Sequence, residues 1–412
     1  MSNAYKVLLF LTLLAFAYLS STMTAGRAFN EYWRWVMLAV MASFALWSPP
    51  MSPRHFKGQS LRIAAVAFAA FATISSMWSL QRSFYTFARG ISVCFLVVLV
   101  FFSLWPRLRS LKDYVSLVGL LSLLAWFTVF ASVFLFVFKR SSAIRPFTGA
   151  FQGMFGNPNT LGMTYAVLTP ISLSRFYLKK GPIRFALPLI LLAFAWLSQS
   201  RAGLVGALGG IGAFYAAYYG RKIWIVVLLL FVIAAPFFLL RQERSVLDEA
   251  ETEFWRGESS IQQYGSGRFG LWMAAFQRFK ERPFTGYGFG TGGDCYMPNG
   301  ESFRWHSSFT QIGVELGIAG LLFFFAPIAY SGAKVARYHV LTVRNPRVRA
   351  AAGGLMAGWL AGAANSLFES WLFSVGNFSS IIAWIAFAAG VKAMSEAALL
   401  DEQAGVNAAP RT

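Results

Sequence analysis

Apolar runs of about twenty residues recur along this chain, each long enough to cross a bilayer as a helix. They fall near 5–22, 32–48, 61–80, 87–105, 114–138, 155–174, 183–199, 202–219, 222–240, 306–330, 350–367 and 373–395. The pattern predicts an all-α integral membrane protein with about twelve transmembrane helices. One stretch breaks it. Residues 241–305 are polar and hold nine of the sixteen carboxylates in the chain. Long insertions of this kind are usually functional or disordered, and helical patterning with aromatic residues predicts a folded cap here. The chain therefore divides into about nine helices over 1–240, a cap loop over 241–305 carrying amphipathic helices, about three helices over 306–396, and a flexible tail over 397–412. The first apolar run lacks a small-residue cleavage site in the right place, so it reads as a retained span rather than a signal peptide.

Inside the cap, Ser245 followed by acidic residues from Asp248 onward predicts a helix start. Residues 268–281 set Phe269, Trp272, Met273, Phe276 and Phe279 at helical spacing. Such a stripe suits the bundle mouth or the headgroup layer; an ordinary buried helix face fits equally well. Pro283 and the glycines from Gly286 to Gly293 follow. Without a strand–turn–helix context they make no nucleotide fingerprint. They read as a loop that lets the cap fold back toward the membrane, because glycine tolerates tight turns and close backbone approach.

Composition agrees with a membrane solvent. Hydrophobic residues make up 57% of the chain and charged residues 13%, against about 25% charged in soluble domains; mean hydropathy is +0.55. The short loops at 49–62, 106–112, 175–184, 221–222 and 334–349 carry seventeen Lys and Arg, and the alternate ones eight. The richer set belongs in the cytoplasm, which puts both termini inside and the cap on the periplasmic side. The net charge of +20 is then topology signal plus attraction to anionic lipids. The basic residues sit at helix ends, so no nucleic-acid partner is expected. Cys94 and Cys295 are poorly placed to pair and read as two free thiols.

Three histidines are present. His55 and His339 fall in loops assigned to the cytoplasm and read as surface residues. His306 opens a span directly after the cap, and imidazole is the side chain suited to proton exchange near neutral pH, although boundary histidines are often merely interfacial. Arg201 sits between apolar segments, Arg268 heads the amphipathic cap segment, and Arg145 lies in an outer loop before Gly149. Ionisable groups at membrane depth are functional candidates by default, and guanidinium binds phosphate oxygens bidentately. These residues suit an anionic, lipid-linked substrate. Snorkelling toward headgroups accounts well for Lys139 and Arg140 and poorly for Arg201. Two carboxylates are also out of place, Glu315 inside the span that His306 opens and Glu369 between the last two spans. At nine residues' separation His306 and Glu315 lie on opposite helix faces, so an arginine of a neighbouring helix is the better partner for Glu315. No acidic cluster suits a divalent cation, so neither metal nor cofactor is expected.

The segment His306-Ser-Ser-Phe-Thr-Gln-Ile-Gly-Val-Glu315-Leu-Gly317-Ile-Ala-Gly320 resembles the O-antigen ligase/polymerase family of bacterial envelope glycosyltransferases. The run from Gly267-Arg268 through Arg282-Pro283-Phe284 to Gly286–Gly290 is similar to that family's large periplasmic loop. Ser200-Arg201-Ala-Gly203, and Arg145 through Gly156-Asn157-Pro158-Asn159, resemble its earlier motifs. The matches cover most of residues 145–325. The resemblance implies a metal-independent glycosyltransferase of the inner membrane that moves a glycan from undecaprenyl diphosphate to an acceptor on the periplasmic side. It implies that Arg201 and Arg268 hold the diphosphate and that His306 acts near the acceptor hydroxyl. Arg145, Asn157, Asn159 and Glu315 are the accompanying substrate-binding candidates. Chain polymerisation is the leading expectation, on the Asn157–Asn159 element, although Pro158 would break any span. Ligation of finished chains to lipid A-core is the alternative, and transfer to protein a third. A lipid-linked oligosaccharide flippase is the rival from another class, but it would be expected to show repeated halves.

Overall fold

The computed structural model describes residues 1–19, 21, 36, 39, 40, 43, 59–79, 83–146, 148–220, 268–292, 305–337 and 343–406. Its longer helices are α1 (Asn3–Leu19), α2 (Gln59–Ile74), α3 (Ser83–Val97), α4 (Leu111–Phe138), α5 (Pro158–Leu178), α6 (Pro182–Leu197) and α7 (Arg201–Tyr219), then α8 (Arg268–Glu281), α9 (Ser308–Arg337), α10 (Pro346–Ser366), α11 (Phe378–Ser395) and α12 (Ala397–Val406). Ten of the expected apolar runs coincide with α1–α7 and α9–α11. The runs at 32–48 and 222–240 lie mostly or wholly outside the described residues, as do the helix start at Ser245, Cys295, His55 and His339.

The expected dozen spans are not confirmed, since two of the runs lie mostly or wholly outside the described residues. Among the described residues six helical stretches are long and apolar enough to cross a membrane, and α1 and α6 are shorter apolar helices. Neither α5 nor α10 is among the six, for a physical reason. They pack against each other, and α10 also packs against α7 and α11. A helix surrounded by protein is selected for close approach rather than for lipid solubility, so small residues replace large apolar ones. On α10, Gly354, Gly358 and Gly362 form a stripe at i, i+4, i+8. A Cβ there would meet Ser174 Cβ at 2.1 Å, Ile171 Cδ1 at 2.7 Å and Val167 Cγ2 at 3.0 Å, all on α5. Hydropathy undercounts such helices.

The tail departs from expectation. Instead of fraying, residues 397–406 form α12. The Asp401 carboxylate accepts from the backbone amides of Arg344 and Asn345, at 2.9 and 2.7 Å, just before α10 begins.

Helix directions define two ends. At one end α5, α7, α9 and α11 all begin. Asn157, Ser200 and Asn377 cap α5, α7 and α11 with their side-chain oxygens, and the Ser307 carbonyl accepts from Gln311 at 3.0 Å. At the opposite end the Met1 ammonium pairs with Asp113, Tyr114 donates to Glu396 at 3.3 Å, and Arg349 donates to the Tyr218 carbonyl at 3.1 Å.

Candidate active site

His306 lies just before α9 in the left-handed region, at φ +50°, an uncommon conformation for a residue with a Cβ. Its neighbours hold it there. Trp305 is buried and its indole N–H donates to the Gly292 carbonyl at 3.2 Å. The Ser307 amide donates to Ser370 Oγ at 2.9 Å. Ser308 Oγ donates to the Glu369 carbonyl at 2.8 Å and accepts from the amides of Trp371 and Leu372 at 3.1 and 3.2 Å. The loop between α10 and α11 thus grips both residues that follow the histidine. From that loop the Glu369 carboxylate approaches the imidazole, with Oε2 3.7 Å from Nδ1. The glutamate side chain is only 8% exposed, whereas the imidazole is 39% exposed.

The start of α7 reaches the same end. Gly206, five residues after Arg201, packs against Ala361 and Asn365 of α10. Asn365 accepts from the Trp371 indole at 2.7 Å, and Trp371 joins Ser308 as above. Arg201 itself is half-buried. Helix α8 arrives from a third direction, with the Trp272 ring 6.2 Å from that of Phe368, the residue before Glu369. Arg268 begins α8 one turn before Trp272. Of the expected stripe, Trp272 and Phe279 are half-buried while Met273 and Phe276 are exposed, so the helix rests on the bundle along one edge only.

Arg145 is exposed in the loop before α5. Its amide donates to the Ala150 carbonyl at 2.9 Å, and Phe151 donates to the Leu197 carbonyl at the end of α6, which ties this loop to the start of α7. Asn157 uses its side-chain oxygen to cap α5, accepting from the Asn159 amide at 2.8 Å. Both asparagines are half-buried and serve the helix start.

Glu315 has a different employment from the one expected. It is fully buried, and its carboxylate accepts from the amides of Gly290 and Gly292, at 2.8 and 3.0 Å, and from Gln311 at 2.9 Å. The nearby arginine, Arg89 of α3, acts on it at longer range and gives its own hydrogen bonds to Tyr85. With both oxygens taken, Glu315 fastens the glycine loop instead of facing a ligand. Helix α9 breaks beside it at Gly317, φ +64°. A helix break among apolar residues leaves backbone groups that must be satisfied by protein, and the loop supplies them. Tyr287 donates to the Val314 carbonyl at 3.2 Å, Gly288 to the Glu315 carbonyl at 2.8 Å, and Ile318 donates to the Pro283 carbonyl at 2.7 Å. Only glycine fits this approach, since a Cβ on Gly286 would lie 2.3 Å from the Glu315 carbonyl carbon. The far side of the loop rests on the end of α2, where Phe289 donates to Ser75 Oγ at 2.9 Å. Tyr287 also donates to Glu281, which Arg278 holds at 2.9 Å. These two bonds, the tyrosine's first, keep the Glu281 carboxyl below the usual carboxylate range.

Among its described residues, a helical, multi-pass membrane protein therefore presents an imidazole–carboxylate pair at the same end of the bundle as the Arg145 loop and the starts of the helices that carry Arg201 and Arg268. Residues 186–325 match the family described as O-antigen ligase. The resemblance to the O-antigen ligase/polymerase family is shown over that region, which holds Arg201, Arg268, His306 and Glu315. No match is found among curated proteins. Glu369 lies outside the matched region. The sequence marked it as misplaced without assigning it a partner, since 63 residues separate it from the histidine.

Proposed function

We propose that this protein transfers a glycan from undecaprenyl diphosphate to a sugar hydroxyl at the periplasmic face of the inner membrane. The observation that carries the reading is His306, held in a strained backbone conformation and half exposed at the end where four helices begin. Strain of this kind persists where surrounding structure imposes it, and it concentrates at functional sites. Helix N-termini favour negative charge. Arg201 and Arg268 add guanidinium forks that match diphosphate oxygens.

In the proposed reaction the acceptor hydroxyl attacks the anomeric carbon and its proton passes to His306. The bond from that carbon to the phosphate oxygen breaks, and its electron pair leaves with the diphosphate. Arginines that stabilise the developing charge make a metal dispensable. Arg145 sits at the rim as a further contact for the anionic donor. Glu315 belongs to the support, because it fixes the loop that positions Trp305 and hence His306.

Polymerisation and ligation remain the two outcomes of this chemistry. The Asn157–Asn159 element behind the polymerase expectation acts as a helix cap, so it carries little weight. Ligation to lipid A-core is the second reading, in keeping with the description of the matched family as O-antigen ligase. The test is His306→Ala, purified and assayed for transfer from a lipid-linked donor, with EDTA present throughout. Loss of a general base costs about 10²- to 10⁴-fold, and transfer is expected to fall at least that far while the protein elutes as a folded species. Wild-type turnover in this variant would overturn the assignment.

A further inference from the structure

We propose that Glu369 is the positioning residue for His306: it turns Nδ1 of the imidazole inward, leaves Nε2 for the acceptor hydroxyl, and offsets the charge that the ring gains during transfer. The inference rests on the glycosyl-transfer reading above and extends it to a residue outside the matched family region.

The geometry singles out the carboxylate. Its Oε2 stands 3.7 Å from Nδ1, within ion-pair range. The exposures, 8% for the glutamate side chain and 39% for the imidazole, place the carboxylate behind the ring and the ring toward the opening. A carboxylate so buried is costly unless a charge or donors compensate it. The backbone on both sides is already fixed, because the Glu369 carbonyl accepts from Ser308 and the Ser307 amide donates to Ser370. The ring's own rotation is then the freedom left to settle, and the carboxylate settles it.

Proton flow balances on this arrangement. The acceptor O–H proton moves to Nε2 as the new C–O bond forms and the diphosphate departs with the electrons of the broken bond. The resulting imidazolium keeps its Nδ1–H toward Glu369 and releases the Nε2 proton to water once product leaves. Among the described residues, the other charged groups brought to this end include Arg145 in the loop before α5, Arg201, which begins α7, and Arg268, which begins α8.

The test compares Glu369→Gln, Glu369→Asp and His306→Ala in transfer from a lipid-linked donor, with kcat and KM measured separately. Glu369→Gln is expected to lower kcat by tenfold or more, up to the full general-base contribution of roughly 10²–10⁴, with the donor KM little changed. Glu369→Asp is expected to recover part of the rate. Wild-type kcat in Glu369→Gln, a loss that falls on the donor KM rather than on kcat, or no recovery in Glu369→Asp would refute the positioning role. If His306→Ala is inactive and Glu369→Gln is normal, only this inference fails. If His306→Ala is active, the transfer reading itself fails.

Discussion

His306 could be picked out because it follows a polar stretch and opens an apolar one, a position where imidazole meets both water and membrane. Its partner could not. Glu369 looked misplaced between two spans, yet only the pairing of the α10–α11 loop with the start of α9 brings it to the ring. Glu315 was equally conspicuous, and spacing correctly separated it from His306, but its partners turned out to be backbone amides and a glutamine. Loop amides carry no residue-type signal, so sequence reading pointed to an arginine instead. Arg201 offers a prediction at this scale. A charged hydrogen bond contributes about 1.5–3 kcal/mol, or roughly 10- to 100-fold in affinity. Arg201→Ala is expected to weaken binding of the diphosphate carrier by that factor, and Arg201→Lys to recover only part of it because a point charge lacks the planar fork. Titration of purified variants with the carrier lipid measures both; unchanged affinity in the alanine variant would remove Arg201 from the donor site.

Among elements, the break in α9 and the loop that fills it form one unit. Gly286 and Gly317 both have φ +64°, and each leaves no space for a Cβ, the second lying 2.5 Å from the Phe284 carbonyl carbon. The glycines between Pro283 and Gly293 were legible as a loop that folds back. That the loop repairs a broken helix was not, because Gly317 inside an apolar run looks like any tolerated helical glycine. Gly286→Ala tests the unit. Left-handed strain of roughly 1–2 kcal/mol per residue adds to overpacking of about 1–3 kcal/mol. The variant is expected to unfold at lower temperature in detergent and to lose transfer with it; unaltered melting would mean that the loop does not depend on this contact. The apolar runs at 155–174 and 350–367 were legible as spans, although the small and polar residues that let α5 and α10 pack closely lower their hydropathy below that of the lipid-facing helices.

For the whole molecule, the arrangement that matters is the gathering of four helix starts, one imidazole and a glycine-rich loop at one end, with the tail helix α12 and the Met1–Asp113 pair at the other. Deletion of the chain from its host, followed by gel analysis of surface glycans, separates the two outcomes of the proposed chemistry. Single-repeat products are expected from loss of a polymerase, and free long chains with bare lipid A-core from loss of a ligase; an unchanged pattern would contradict both. The sequence by itself determined that the chain is helical and membrane-borne, where most helices start and stop, and which histidine and arginines deserve scrutiny, because hydropathy, caps and glycine runs act locally. Tertiary structure alone decided that Glu369 faces His306, that Glu315 is a fastener, and that residues 397–406 dock as a helix. Those outcomes depend on contacts between segments far apart in the chain, and no local preference encodes which distant surface a side chain will meet.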